Sequence, residues 1–117
     1  METKSAVASL AALALEGRLS AFRLLVQAGP EGLPAGEIAR RLDVLPNTLS
    51  ANLSVLSHAG LVSSKRDGRS IIYSADFDAM RQLLAFLMED CCGGASEICA
   101  PLAAIASRAC VAEGRSC

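Results

Sequence analysis

GLPAGEIARRLDVLPNTLSANLSVLSHAGLVSSKRDGRSIIY, Gly32 to Tyr73, is the stretch on which the reading of this chain turns. Two short amphipathic segments, Ala35 to Leu42 and Pro46 to Ala59, are separated by the brief break Asp43-Val44-Leu45, and a hairpin pattern follows directly. In the first segment Ile38 and Leu42 point inward. In the second, Leu49, Leu53 and Leu56 recur at helical spacing, so one face packs inward while Asn47, Thr48, Ser50, Ala51 and Ser54 are left outward. Pro46 suits the first turn of a helix, where a backbone N–H is unpaired in any case, and Gly60 suits the C-terminal cap. Leu61 to Arg66 and Arg69 to Ser74 then flank Asp67-Gly68, a strong two-residue hairpin signal because both residues tolerate positive φ. Helix, short turn, helix and hairpin in this order predict a mainly α fold with a small β-hairpin wing, the winged helix-turn-helix.

A turn at Asp67-Gly68 sets Arg66 opposite Arg69, and like charges facing each other across strands are unfavourable. A nearby polyanion relieves that cost. Lys65, Arg66 and Arg69 at the hairpin tip are therefore read as phosphate contacts, with a solvated turn as the plainer alternative. Arg40 and Arg41 lie either beside the same polyanion or in solvent.

The 117 residues are enough for one domain that buries about two-thirds of the unfolded chain's surface. Hydrophobic residues make up 52%, yet there is no Trp, one Tyr and three Phe, so the core is built from Leu, Ala, Ile and Val, and helices follow. The formal net charge of -1 excludes a generally basic nucleic-acid binder. Its distribution is uneven: Arg40, Arg41, Lys65, Arg66 and Arg69 fall in the helix-turn-helix stretch against Glu37, Asp43 and Asp67, while Asp76, Asp78, Glu89, Asp90, Glu97 and Glu113 load the later chain. No apolar run approaches the ~18 residues of a membrane span. The run Ala6 to Leu15 superficially resembles a signal-peptide core, but Glu2 is acidic and the run continues into a polar helical pattern at Glu16, Arg18 and Arg23. Five cysteines, an odd number with a vicinal pair, make a poor disulfide framework and fit a reducing cytoplasm.

Taken in order, Met1 to Leu15 reads as a helix with a broad apolar surface through Val7, Leu10 and Leu13, too short to be stable alone. Gly17 is placed at an interruption, and Leu19, Phe22, Leu25 and Val26 continue the pattern to Gln27 before a stop at Ala28-Gly29-Pro30. Gly29 to Leu33 reads as a turn-rich loop. His58, the single histidine, is expected at the surface or core edge near the end of the second helix of the motif. Beyond the wing, Phe77, Met80, Leu83, Leu84, Leu87 and Met88 carry a helical period from Asp76 to Asp90. With Ala79 and Phe86 added, that helix is apolar on more than one side, as expected if it also meets the Met1 to Leu15 helix of another subunit. A dimer is predicted, with a terminal helix packed only on its own domain as the plainer alternative; the dimer also matches two recognition helices about 34 Å apart on an inverted repeat. Residues 1–90 are thus read as the DNA-binding and dimerisation domain and 91–117 as a cysteine-containing segment and tail.

That segment begins Cys91-Cys92-Gly93-Gly94 and reaches Cys99. Adjacent cysteines on a regular helix diverge by about 100°, so they meet on one ion only where the helix has frayed. Gly93-Gly94 permits such fraying and lets the chain bring Cys99 back to the pair. Three thiolates make a soft site lacking the fourth ligand that structural zinc requires. Trivalent arsenic or antimony bonds three thiolates in a pyramid, its lone pair taking the fourth direction. Incidental free cysteines are the alternative. Cys110 reads as a small buried hydrophobe in the Ala-rich tail and Cys117 as a frayed terminus.

The order of these features resembles the ArsR/SmtB family of metalloregulatory transcriptional repressors. The resemblance covers most of the chain and is carried by LPAGEIARRL, PNTLSANLSVLSHAGLV, KRDGRSIIY and DCCGGASEIC. Within the family it is most similar to arsenical-resistance repressors whose inducer-binding cysteines sit at the end of the last helix; Cys91, Cys92 and Cys99 match those positions. The resemblance implies a homodimer that occupies double-stranded operator DNA and leaves it when As(III), or Sb(III), binds. It also implies DNA contacts at Asn47, Thr48, Ser50, Ala51, Ser54, Lys65, Arg66 and Arg69, and no organic cofactor. This chain departs from the family where a His and a Lys are frequent, around Asn52 and Ser54. A thiol redox sensor on the same fold is the alternative, with Cys91 or Cys92 oxidised and resolved by Cys99. An arsenical enzyme lacks support, since no general base, nucleotide loop or His/Asp constellation accompanies the thiols. A protein-interaction module without a DNA role is the remaining possibility.

Overall fold

A computed structural model of the chain describes residues 1–88. The elements run α1 (Thr3–Leu13), α2 (Glu16–Ala28), β1 (Leu33–Pro34), α3 (Ala35–Leu42), α4 (Pro46–His58), β2 (Val62–Asp67), β3 (Ser70–Ala75) and α5 (Phe77–Met88). This is the winged helix-turn-helix: mainly helical, with one three-stranded antiparallel sheet in the order β1-β3-β2. Cys91, Cys92 and Cys99, together with Cys110, Cys117 and the whole proposed 91–117 segment, lie outside the described residues. Among the described residues no helix is long and apolar enough to cross a membrane.

The core is aliphatic, as the composition requires. Leu25 from α2, Ile38 from α3, Leu53 and Leu56 from α4, and Leu61 just before β2 are its largest fully buried side chains. Each contributes about 2 kcal/mol of transfer free energy. Phe22, Leu49, Val62 and Ala75 complete the cluster, against which Leu42, Tyr73, Phe77 and Met80 pack in part. α2 therefore serves as the backing for both α4 and β3. Met1–Leu83 forms one unit. Leu84 to Met88 finish α5, and there Leu84 and Leu87 are about half exposed, at 51% and 52%.

Three local expectations are corrected. The break between the first two helices falls at Ala14-Leu15, not at Gly17, which lies within the first turn of α2. The reason is Arg18, whose guanidinium donates to the Ala12 and Ala11 carbonyls and so satisfies the end of α1, where a cation also suits the helix dipole. Leu33 is not merely loop: Leu33 and Pro34 pair with Tyr73 and Ile72 on the outer edge of β3. Two residues are too few to show a strand period.

The wing turns one residue later than its sequence suggests. Asp67 pairs with Ser70 and Arg66 with Ile71, so the two-residue turn is Gly68-Arg69 and the two arginines do not face each other. A turn at Asp67-Gly68 would need positive φ at both residues. In the observed turn only Gly68 is at positive φ, +62°, the pattern of a type II′ turn. The strained aspartate and the opposed like charges are both avoided, and Val62 meets Ala75 at the buried base of the hairpin.

Candidate nucleic-acid interface

α3 and α4 are joined by a turn whose sharpness comes from Asp43, the one non-glycine at positive φ among the described residues (φ 54°, ψ 51°). Its backbone N–H donates to the Arg40 carbonyl at 3.3 Å, and that of Val44 to the Ala39 carbonyl at 3.1 Å, closing the end of α3. Left-handed backbone is accessible to aspartate at modest cost. Leu45 is then extended, and its carbonyl accepts from Leu49 N–H at 3.0 Å to start α4.

The rotation of α4 about its axis is set by Leu49, Leu53 and Leu56, all buried. Asn47, Thr48, Ser50, Ala51 and Ser54 are consequently all exposed, as expected for a face that meets a partner. Asn52, between those faces, is half-buried and abuts Gly17 of α2: a Cβ on Gly17 would stand 3.0 Å from the Asn52 amide nitrogen. His58 is exposed, with Nδ1 2.8 Å from the Ser54 carbonyl oxygen, and closes the helix end.

Lys65, Arg66 and Arg69 are all exposed on the wing. The register separates them, however. Side chains alternate along a strand, so Arg66 shares the face of Val62 and Ser64, while Lys65 shares the face of Ser63 and Asp67; Arg69 occupies the turn. On the Lys65 face the Ser63 and Ser74 hydroxyls lie 3.3 Å apart.

Arg40 and Arg41 are less free than the wing cations. Both are held by Glu37 one turn earlier: Arg40 donates to both carboxylate oxygens, and Arg41 Nε donates to Oε1 at 2.8 Å. The Arg40 guanidinium, and Arg41 after it, hold the Glu37 carboxyl below the usual carboxylate range. The same contact raises Arg40 further. Such exposed pairs add little stability, but they offset part of the positive charge on α3. The uncompensated cations among the described residues of this surface are thus chiefly those of the wing.

One exposed side chain at this surface was not singled out in the sequence. Leu45, immediately before α4, is 73% exposed. An apolar residue preceding a helix-starting proline lies outside the helical period, and that position was the signal available.

Comparison with known proteins agrees with this architecture. A model of the helix-turn-helix domain family matches residues 12–64. Nodulation protein NolR of Rhizobium meliloti is 32% identical over 88 residues, covering 75% of this chain and 70% of the relative. An ArsR-like transcriptional regulator from Rhodococcus sp. RHA1 superposes with a TM-score of 0.65 at 29% identity, covering 87% of this chain and 90% of that one. The homodimeric winged helix-turn-helix DNA-binding domain Mb0332 of Mycobacterium bovis, described as a possible ArsR-family regulator, gives 0.61 at 28% identity, covering 73% and 77%. Helix order, wing and relatedness over most of both chains agree, and the protein belongs to the ArsR family of winged helix-turn-helix transcriptional regulators.

Proposed function

We propose that this protein is a dimeric transcriptional repressor that occupies operator DNA and is released by trivalent arsenic, or antimony, bound to Cys91, Cys92 and Cys99. The observation that carries the DNA half of this reading is the uniformly exposed outer face of α4 beside a wing bearing Lys65, Arg66 and Arg69. A recognition helix placed in the major groove with cations on flanking phosphates is the standard division between base reading and positioning. Dimerisation is supported by the homodimeric Mycobacterium bovis relative. It is also supported by exposed apolar side chains, Val7 and Leu10 on α1 and, separately, Leu84 and Leu87 on α5.

The inducer half rests on the donor set. Three thiolates within nine residues, with no histidine among them, suit a soft trivalent centre with three bonds and a lone pair. Release follows only as far as arsenic prefers the DNA-free form, and the same coupling weakens arsenic binding on DNA. Coupling of this kind is typically about 1 to 3 kcal/mol.

The test is arsenite titration of the reduced protein on labelled duplex from its own upstream region, followed by anisotropy, with Cys92→Ser and a Cys91/Cys92/Cys99 triple serine variant. Release in the native protein alone is expected. Release that persists in the triple variant would remove the cysteine site from the mechanism. Release by peroxide with indifference to arsenite would replace the inducer by an oxidant.

A further inference from the structure

The outward surface of α4 is divided into two rows. Asn47, Ser50 and Ser54 form one at i, i+3, i+7 spacing; Thr48, Ala51 and Val55 form the other, and all six are exposed. Leu45, extended rather than helical, stands immediately before the helix that carries the second row. At 73% it is the most exposed large apolar side chain among the described residues, and Val55 at the far end of the row is 40% exposed. One row offers amide and hydroxyl groups, the other methyl groups. Between Asp43 and His58 the chain carries no charged side chain.

This chemistry restricts what the helix can read. Guanine is recognised most often by Arg or Lys on O6 and N7, and α4 has neither. Adenine takes a bidentate Asn on N6 and N7, and thymine presents a C5 methyl that prefers apolar contact. The N-terminal residues of a recognition helix are those that reach base edges, which is where Leu45, Asn47, Thr48 and Ala51 lie. A single exposed leucine is ordinary on a protein surface, but this one stands at the start of a helix whose outward surface carries three further methyl-bearing residues, Thr48, Ala51 and Val55. We infer that α4 reads A·T pairs in the major groove, with Leu45, Thr48 and Ala51 packed on thymine methyl groups and Asn47 paired with a neighbouring adenine. The inference rests on the DNA-binding reading above and assigns the division of labour within it: the wing supplies salt-dependent affinity and the methyl row supplies sequence preference.

The experiment is selection of the reduced full-length protein on a random duplex library, followed by replacement of each thymine of the selected duplex with uracil. That replacement deletes the C5 methyl and leaves every hydrogen-bonding group of the groove in place. The expected result is A·T pairs at the positions under the helix and about a fourfold loss of affinity for each contacted methyl removed, the worth of burying one such group. Leu45→Ala is expected to erase the uracil penalty at one position and retain it elsewhere. Thr48→Ser, which keeps the hydroxyl and removes one methyl, is expected to erase it at a neighbouring position. A selected duplex requiring G·C pairs under the helix, or one whose affinity no uracil replacement changes, overturns the inference and leaves DNA binding standing. A library that yields no bound duplex overturns both.

Discussion

Lys65 and Arg66, adjacent in the chain, stand on opposite faces of the wing: Lys65 is paired with Ile72 and Arg66 with Ile71 in the antiparallel ladder. On the proposed DNA-binding reading, a hairpin meeting DNA on edge offers one cation to each side, and the two are expected to contact different phosphates. Lys65→Ala and Arg66→Ala are each expected to weaken binding to all duplexes alike and to lower the slope of log K against log salt by about one. With no shared partner, their effects should add within about 0.5 kcal/mol. Affinity measured across a potassium chloride series checks this, and a double variant no weaker than either single one would place both side chains on the same phosphate.

The two glycines flanking the sheet are not equivalent. Gly32, at φ +72°, has the Tyr73 carbonyl oxygen 2.2 Å from where a Cβ would stand, whereas Gly68, at φ +62°, has nothing within 4 Å. Gly68→Ala meets only the left-handed backbone penalty, about 1 kcal/mol. Gly32→Ala adds a backbone collision that displaces β1 from β3, and a loss above about 3 kcal/mol is expected. Urea unfolding of the two variants should separate them clearly; equal midpoints would show that β1 can shift at little cost.

Leu45 immediately precedes α4 and Leu56 lies in its last turn, and their exposure is opposite, 73% against 0%. Leu56→Ala opens a cavity among Leu25, Ile38 and Leu53, and a loss of about 2 to 5 kcal/mol is expected. Leu45→Ala should change stability by less than about 0.5 kcal/mol while altering DNA binding. Thermal melts beside duplex titrations make the comparison. A large stability loss in Leu45→Ala would mean that its side chain packs in solution.

Glu37 supplies a pH dependence with a definite sign. Its carboxyl is held below its ordinary value by hydrogen bonds from Arg40 first and Arg41 second. A carboxyl with a depressed folded-state pKa stabilises the fold at pH above its unfolded value and loses that contribution as pH falls through the folded value. The stability difference between the native protein and Glu37→Gln is therefore expected at neutral pH and should shrink below about pH 4. Urea midpoints at pH 7 and in the acid range test this, and a difference that grows on acidification would contradict it. Because the pairs are exposed, the effect should also weaken with salt.

Most of the fold was legible in the chain because its signals are local and redundant. Ala35–Leu42 and Pro46–His58 were marked by helical spacing of Ile38, Leu49, Leu53 and Leu56, by Pro46 at one end and by Gly60 at the other. The outward set Asn47, Thr48, Ser50, Ala51 and Ser54 followed, since naming the buried stripe of a helix also names its opposite face. The site proposed at Cys91, Cys92 and Cys99 rests on residue type and spacing alone, since these residues lie outside the described structure.

What the tertiary structure decided is where local signals were silent or tied. The hairpin turn slid to Gly68-Arg69 because Val62 and Ala75 meet in the core and only glycine is then at positive φ; the dipeptide Asp67-Gly68 alone favours the other turn. The strand Leu33–Pro34 exists through its pairing with β3, a contact between residues about forty apart in the chain that no short window contains. Arg18 ends α1 by reaching back to carbonyls six and seven residues earlier. Whether a side chain such as Leu45 is buried or presented is decided by the packing of α3 against α4. Composition and periodicity specify which faces turn inward, and only the assembled core specifies register, long-range pairing and what is left exposed at the joints.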